Sequence, residues 1–435
     1  MIEQGLLNLL TCCTLFLLRI EWRSEMINQL PLEVRFLKRY ARQLHAAGVP
    51  AHLFERMMAE LSDKLGFVCQ PLSSPTSIFL SFQYQDDEDD NRPIPIQLER
   101  MAPSAINLAN TAELYSLGHR LLDDKISIEE ANADLKHWQP EQLYPSWLQI
   151  LCWGLASGSV AVMLTASWSG IAVAALTGSL LGVLVTKAGD SLREGGLEAV
   201  AALFSTFLVF GINSLVPGLD VFVIIMSSLI VLIPGLGLTV AVTELSTDHL
   251  ASGSARLAGA FVTLLKLSLG VLVGSVVVGW FGWSTDVSAT SQLLSPPDWF
   301  RWPALLAAAF SFAVLFSVRK KDFHIAMLAA IISYMVSRAG VAAGGFEFGV
   351  LLASMSIAIL ANLYGRNFKQ TGALIRVPGV ILLVPGTIGY HGATAFLLDG
   401  GASLGDTSLL AMRLLISLVG GWLFGNTLLP PRKGH

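Results

Sequence analysis

The sequence predicts a mainly α-helical, polytopic membrane protein with about ten transmembrane helices, arranged as two inverted five-helix repeats, and a small α+β cytoplasmic domain at the N-terminus. Of the 435 residues, 53% are hydrophobic and only 14% are charged, whereas a soluble protein carries about a quarter charged residues. The long apolar runs are confined to residues 146–430, and short motifs recur within them at a nearly constant spacing. We therefore divide the chain into residues 1–30, 31–145, 146–285 and 286–430.

Residues 1–30 are expected to be an extension that is not part of the working fold. The apolar stretch 5–18 is about 14 residues long, which is shorter than the roughly 20 residues of a spanning helix. A signal peptide begins with basic residues, but Glu3 is the only charge before this stretch. Met26 would then start the working protein; a short helix on the membrane surface is the alternative.

Residues 31–145 have the composition of a soluble α+β domain. Apolar residues at helical spacing predict helices over 31–47 and 50–66, the first of them ended by Gly48. Strands are predicted at 67–70, 77–84 and 94–100, and helices at 107–123 and 127–138. Ser127 and Glu130 fit a capping box at the start of the last helix. The acidic segment 86–90 is interpreted as a solvated turn, with a divalent-ion site as the alternative.

The sequence shows no pattern that is typical of an enzyme, a metalloprotein or a nucleic-acid-binding protein. The four cysteines, Cys12, Cys13, Cys69 and Cys152, lack the C-x-x-C spacing of a zinc site and do not suggest a disulfide framework. The formal charge is −4, without a basic stripe for nucleic acid. No P-loop is present, which argues against ATP-driven transport. We predict no catalytic residue, metal or cofactor, and a hidden hydrolytic activity of residues 31–145 remains the alternative.

Ten apolar segments are candidate membrane spans, and the charges of their loops orient them. The spans are predicted at 147–167, 170–186, 195–216, 219–243, 257–282, 302–318, 324–342, 347–365, 374–391 and 408–429. With the N-terminal domain in the cytoplasm, most Lys and Arg residues of the loops fall on the inner side, as expected for cytoplasmic loops. Both termini are therefore predicted to be cytoplasmic.

An internal repeat divides the spans into two halves of five. Lys187-Ala188-Gly189 recurs as Arg338-Ala339-Gly340, an offset of 151 residues (187 to 338). Glu198 and Glu347 follow paired glycines at an offset of 149 (198 to 347), and Asn213 and Asn362 share that offset. Because five spans are an odd number, the second half must be inverted relative to the first. This is the plan of many secondary transporters.

Each half has an apolar run that is interrupted by Pro-Gly, at Pro234-Gly235 and at Pro385-Gly386. Proline removes a backbone donor and breaks a helix. Inside a membrane, such a break is tolerated where protein or a water-filled cavity covers the freed backbone groups. Paired breaks in the two halves are the best sequence indication of a transporter's substrate site. The alternative is that the prolines only kink packed helices.

Several motifs together identify a family. Pro234-Gly235 is followed by Leu238-Thr239, Glu244, Ser252-Gly253 and Arg256-Leu257, and further similarity lies at 42–48, 74–78, 100–108, 126–131, 378–379 and 384–386. Over about residues 33–428 the chain resembles the bacterial threonine/serine exporter family, with the smaller partner domain of that family fused in one chain. At position 244 the family pattern more often has Asp, so Glu244 keeps the charge and lengthens the reach.

The candidate site residues follow from the breaks and from the charges within spans. We expect the helix ends at the breaks to hold a carboxylate, since free N–H groups favour anions. Lys266 lies deep in its span and is expected to have a counter-ion, for which Glu198 and Glu244 are candidates; the alternative is that its side chain snorkels to the membrane surface. The expected cavity and binding residues are Pro234, Gly235, Thr239, Pro385, Gly386, Thr387, Asn213 and Asn362. The expected coupling residues are Glu198, Glu244, Lys266 and Glu347. The alternatives are that Asn213 and Asn362 bridge helices and that Glu198 and Glu347 cap them.

The resemblance implies a secondary exporter of threonine and serine, driven by the membrane potential or the proton gradient, in the bacterial cytoplasmic (inner) membrane. Its partners would be the lipid bilayer and a small-molecule substrate, and the bundle is compatible with a homo-oligomer. A two-protein version of the architecture is associated with succinate export, so succinate is an alternative substrate. A membrane-anchored signalling or hydrolytic protein that does not transport is the alternative of a different class.

Overall fold

The computed structural model describes residues 30–84, 96–104, 106–140, 143–187, 195–283, 294–368, 370–381, 383 and 404–430, with only the backbone at 404–408 and 411. The chain forms two compact units. Of the described residues, the N-terminal unit contains those at 30–49, 53–104 and 116–139, and the helix bundle contains those at 50–52, 106–115 and from 140 onwards. The predicted acidic turn at 86–90, the extension at 1–29 and the second Pro-Gly break lie outside the described residues.

The N-terminal unit packs helices on one face of a three-stranded antiparallel sheet. Its helices are α1 (Leu32–Ala46), α2 (Ala51–Lys64, whose first two residues are counted with the bundle), the end of α3 (Leu108–Leu122) and α4 (Ile128–His137). The strands β1 (Phe67–Ser74), β2 (Ser77–Tyr84) and β3 (Ile96–Arg100) lie in the order β1-β2-β3. Phe67 pairs with Tyr84, and Ser77 pairs with Arg100.

Local chemistry explains where these elements begin and end. Gly48 follows α1 with φ +76°, and the Val49 N–H donates to the Leu44 carbonyl, so the predicted glycine stop is confirmed. The predicted capping box is also confirmed: the Ser127 hydroxyl accepts from the Glu130 N–H, and the Glu130 side chain accepts from the Ser127 N–H. The inner face of the sheet buries Cys69, Ile78 and Phe82. Burial raises the pKa of the Cys69 thiol to about 12.

The helix bundle contains the apolar helices. They are α5 (Ser146–Met163), α6 (Trp168–Lys187), α7 (Leu197–Leu215), α8 (Val221–Ser228), α9 (Gly235–Ser246), α10 (Leu250–Trp280), α11 (Arg301–Leu315), α12 (Phe323–Gly344), α13 (Phe346–Phe368), α14 (Ala373–Ile381) and α15 (Leu404–Leu428). Among the described residues, six helices are long and apolar enough to cross a membrane: α5, α6, α7, α10, α12 with the turn before it, and α13. The protein is a multi-pass membrane protein, but the expected count of ten spans is not confirmed.

Two predicted spans differ from the observed helices for physical reasons. The span at 219–243 is two short helices, α8 and α9, because the chain breaks before Pro234. The span at 257–282 begins earlier, at Leu250, and α10 has 31 residues, which makes it about 46 Å long. Polar residues such as Ser252 and Arg256 can extend the helix before the apolar run because Glu244 hydrogen-bonds both of them.

Small residues let helix pairs of the bundle approach closely. The main pairs are α5 with α6, α7 with α10, α12 with α13 and α13 with α15, and α5 also packs along α11. A Cβ atom added to Gly270 of α10 would lie 2.2 Å from the Ala199 carbonyl oxygen of α7. One apolar core is shared by helices α5 to α11 and includes Val209, Ile224 and Leu267. Tyr144 precedes α5, and its hydroxyl donates to the Val318 carbonyl at 2.6 Å.

Candidate functional site

The central feature of the bundle is the break between α8 and α9. Helix α8 ends at Ser228, residues 229–232 form turns, and α9 begins at Gly235 after Pro234. Proline lacks an N–H and cannot continue the helix that precedes it. The C-terminal end of α8 and the N-terminal end of α9 are therefore separated by six residues of the chain, 229–234. Helix dipoles give these ends partial negative and partial positive charge, respectively.

Buried hydroxyl groups surround the end of α8. The Ser205 hydroxyl of α7 lies 2.6 Å from the Ser228 hydroxyl, and the Ser157 hydroxyl of α5 donates to the Ser228 carbonyl at 3.4 Å. Ser157, Ser205 and Ser228 are all fully buried. Three helices thus bring polar groups to the point where α8 stops. Sequence reasoning missed this cluster, although the Ser227-Ser228 pair inside an apolar run was an available signal.

The start of α9 is more accessible than its surroundings. Pro234, Gly235, Leu236 and Gly237 are half-buried, whereas Ile233 and Leu238 on either side are buried. Within the described chain, a Cβ atom added to Gly237 would meet only the Pro234 side chain, at 3.9 Å. Thr239 is buried, and its hydroxyl donates to the Gly235 carbonyl at 3.0 Å. Of the expected binding residues, the structure therefore groups Pro234, Gly235 and Thr239 at the start of α9.

Glu244 fixes the other end of α9. One carboxylate oxygen, Oε1, accepts from the Ala51 N–H at 2.8 Å and from Arg256 at 3.3 Å. The other, Oε2, accepts from the Ser252 hydroxyl at 2.9 Å and from Arg256 Nε at 3.2 Å. Glu244 is 0% exposed, and the Arg256 side chain is 23% exposed. The carboxylate therefore connects the end of α9 to the start of α10 and to the first residue of α2.

Lys266 and Glu198 lie together. Lys266 Nζ is 3.5 Å from Glu198 Oε2, and both side chains are partly exposed. Of the two carboxylates expected near Lys266, the structure places Glu198 beside it, while Glu244 faces Arg256 instead. In the second half, Glu347 Oε1 is 3.9 Å from an Arg413 nitrogen. Sequence reasoning missed Arg256 and Arg413 as partners of these carboxylates. For Arg413, the available signal was a positive charge inside an apolar run.

The two asparagines connect backbone segments and helices. Asn213 Oδ1 accepts from the Leu219 N–H in the loop after α7. Asn362 is 3% exposed. Its amide donates to Asn426 Oδ1 at 2.7 Å, and its oxygen accepts from Arg376 at 2.9 Å. These contacts do not bring either residue to the α8–α9 break.

The second Pro-Gly break belongs to the part of the chain that the structure does not describe. Pro385, Gly386 and Thr387 lie outside the described residues. Within the described part of the chain, no group of three or more His, Cys, Asp or Glu residues could hold a metal ion.

Comparison with known proteins identifies the family. Residues 35–278 match the family described as "Putative threonine/serine exporter", and residues 304–428 match a second domain of it, "Threonine/Serine exporter, ThrE". "Pheromone-regulated membrane protein 10" of Saccharomyces cerevisiae (strain YJM789) is 26% identical over 362 residues, which are 81% of this chain and 46% of that protein. The "Probable threonine/serine exporter" of Mycobacterium tuberculosis is 25% identical over 366 residues, covering 79% of this chain and 66% of the relative.

This chain spans less than half the length of the first yeast relatives that it matches. No solved structure matches it. The first family match alone covers more than half of the chain, and the second covers most of the remainder of the membrane region. The family is one of membrane transporters rather than an enzyme class. The chain belongs to the threonine/serine exporter family.

Proposed function

We propose that this protein is a secondary transporter that exports small polar metabolites, with L-threonine and L-serine as its substrates. Export is coupled to the proton gradient or to the membrane potential. The protein works in the cytoplasmic (inner) membrane of a bacterium with both termini inside. The observation that carries the proposal is the α8–α9 break, where two helix ends of opposite polarity lie six residues apart in the chain and buried hydroxyl groups surround the end of α8.

The break suits a zwitterion. The negative end of α8 favours an ammonium group, and the positive end of α9 favours a carboxylate. An amino acid carries both groups on one carbon atom, so it can satisfy both ends at once. Succinate carries two carboxylates, and one of them would face the negative end of α8. This complementarity favours threonine and serine over the dicarboxylate alternative.

The inverted repeat is part of the proposal. Helices α5 and α11, the first of each half, pack together, with Cys152 and Val314 in one buried cluster. Helix α7 packs on α10 as α13 packs on α15. These matching pairs support two copies of one five-span plan around a shared interface. In transporters of this kind, one half moves against the other around a central site.

Different acidic residues take different roles. Glu198, Glu347 and Lys266 are proposed to carry the coupling, because their side chains remain partly exposed to solvent or ligand. Glu244 is assigned a positioning role, because the protein itself supplies hydrogen-bond donors to both of its oxygens. A non-transporting membrane anchor would need neither the broken helix nor the polar groups at its end.

The test is flux of labelled threonine in inside-out vesicles that carry Pro234→Ala or Ser228→Ala. Pro234→Ala is expected to lower flux by about tenfold or more, since it allows the helix to continue through the break. Ser228→Ala removes the hydroxyl that contacts Ser205 and is expected to raise the half-saturation concentration.

Thr263→Ala is the matched control, because the exposed Thr263 hydroxyl on α10 donates to the Gly259 carbonyl of its own helix. Normal transport by Pro234→Ala, with the protein present in the membrane in normal amounts, would remove the assignment of the site.

A further inference from the structure

Two ion pairs of the bundle occupy matching positions in its two halves. Glu198 lies in the first turn of α7 and faces Lys266 of α10, with Nζ 3.5 Å from Oε2. Glu347 lies in the first turn of α13 and faces Arg413 of α15, at 3.9 Å. The two carboxylates are 149 residues apart (198 to 347), and the two cations are 147 residues apart (266 to 413).

The helices that carry these pairs also cross in the same way. Gly274 and Gly421 each follow the cation of their helix by eight residues. A Cβ atom added to Gly274 would lie 2.8 Å from the Thr206 Cβ of α7. A Cβ atom added to Gly421 would lie 2.0 Å from the Ser354 hydroxyl of α13. Each helix pair thus has a glycine crossing with an ion pair about two turns away, toward the start of the cation-bearing helix.

Both cations lie at similar distances from the C-terminal ends of their helices. Lys266 precedes the end of α10 by 14 residues, and Arg413 precedes the end of α15 by 15 residues, which is about 21 to 22 Å in both cases. A cation at this distance inside a hydrocarbon core about 30 Å thick is costly and normally needs a partner. The Lys266 and Arg413 side chains are 31% and 58% exposed. Solvent can therefore reach these two ion pairs when they separate, whereas the Glu244 carboxylate of the Glu244–Arg256 pair is buried.

We propose that Arg413 is a positioning residue for transport and does for Glu347 in the second half what Lys266 does for Glu198 in the first. Each cation holds a carboxylate at the first turn of the neighbouring helix. The inference rests on the proposed function and adds a residue to its machinery. Since the halves are inverted in that proposal, the two pairs lie toward opposite membrane faces, and each face has one carboxylate held by one cation.

The experiment measures threonine flux of the full chain in inside-out vesicles, per amount of folded protein. The second-half variants are Arg413→Gln, Arg413→Lys and the exchanged pair Glu347→Arg with Arg413→Glu. The matching first-half variants are Lys266→Gln, Lys266→Arg and Glu198→Lys with Lys266→Glu. Arg301→Gln, which removes an ion pair with the exposed Asp298, is the control and is expected to leave flux unchanged.

Both Gln variants are expected to lower the maximal flux by about tenfold, with an unchanged half-saturation concentration. The conservative and exchanged variants are expected to recover flux to within about threefold of the unmodified protein. A merely structural salt bridge would lower the amount of folded protein instead of the maximal flux per folded protein. Normal flux of Arg413→Gln beside a defective Lys266→Gln, or no recovery in the exchanged pairs, would overturn the proposal.

Thermal unfolding of the purified variants separates this inference from the proposed function. If the unmodified protein moves neither threonine, serine nor succinate, the proposed function fails. The equivalence of the pairs is then decided by the unfolding midpoints. Lower midpoints for both Gln variants, restored in both exchanged pairs, would support the equivalence of the two ion pairs but would overturn the role of Arg413 in transport. An effect in one half alone would overturn the equivalence as well.

Discussion

Removing either partner of the Glu244–Arg256 pair should destabilise the protein, and the larger loss should come from removing the arginine. Losing one partner of a buried ion pair costs about 3–5 kcal/mol, because a charge is left without compensation. In Arg256→Ala the carboxylate, which is 0% exposed in the unmodified protein, loses its counter-charge and keeps only the donors of the Ala51 N–H and the Ser252 hydroxyl. In Glu244→Ala the remaining Arg256 side chain is 23% exposed and can be partly solvated. We therefore expect about 5 kcal/mol for Arg256→Ala and about 3 kcal/mol for Glu244→Ala.

Glu244→Gln is expected to be milder than either alanine variant. A glutamine oxygen can still accept from the Ala51 N–H or from the Ser252 hydroxyl, whereas the charge-assisted bonds to Arg256 are weakened. Hydrogen bonds to charged groups contribute about 1.5–3 kcal/mol each, so a loss near the lower end of that range is expected. The predicted order of stability is the unmodified protein, then Glu244→Gln, Glu244→Ala and Arg256→Ala.

The assay is thermal unfolding of the purified full chain in detergent, followed by intrinsic fluorescence. At roughly 2 °C for each kcal/mol in a large protein, the alanine variants should lower the midpoint by about 6–10 °C. Lys64→Ala is the control, because the Lys64–Asp124 pair is exposed and such pairs contribute about 0–1 kcal/mol. The reasoning would be refuted if Arg256→Ala were less destabilising than Glu244→Ala, or if neither lowered the midpoint more than the control.

Three further predictions concern single residues. Since burial raises the pKa of Cys69 to about 12, its thiol should stay protonated at pH 8 and react with iodoacetamide about 100-fold more slowly than a free thiol. Tyr144→Phe should cost about 1–2 kcal/mol of stability, because the buried Val318 carbonyl loses a hydrogen bond of 2.6 Å. Gly270→Ala should cost about 1–3 kcal/mol, because its methyl group would meet the Ala199 carbonyl at 2.2 Å and push the helices apart.

Each of these predictions has its own control. Iodoacetamide labelling of Cys69, located by mass spectrometry, should become fast in denaturant; fast labelling of the folded protein would contradict the burial argument. Gly279→Ala is the control for Gly270→Ala, because in the described structure nothing lies within 4 Å of its added Cβ atom. Equal unfolding midpoints for these two variants, or for Tyr144→Phe and the unmodified protein, would contradict the packing and hydrogen-bond arguments.

Features that depend on a few neighbouring residues could be predicted from the sequence. Proline has no N–H, which favours the helix break before Pro234, although Pro378 lies inside α14 without ending it. The glycine stop at Gly48 and the capping box of Ser127 and Glu130 also depend only on local backbone chemistry. The family followed from motif residues around the same break, and the family matches confirm it.

Features that depend on distant residues could not be predicted in the same way. Glu244 accepts from the Ala51 N–H, which is 193 residues away, and no periodicity indicates that contact. From the sequence, Arg256 could be interpreted only as a loop charge. Its role is visible in the structure, where Arg256 near the start of α10 contacts Glu244 near the end of α9. Lys266 needed a carboxylate, but depth along a helix did not decide between Glu198 and Glu244. Packing of α7 against α10 places Glu198, rather than Glu244, beside Lys266.

The most direct test of the account is flux of labelled threonine, serine and succinate into inside-out vesicles that contain this protein, with and without an imposed proton gradient. The account predicts saturable, gradient-dependent accumulation of threonine and serine, and little accumulation of succinate, because a zwitterion matches both helix ends at the α8–α9 break. Accumulation of succinate alone would contradict the proposed substrates but would still support a transport function. Absence of flux for all three would contradict the proposed exporter function.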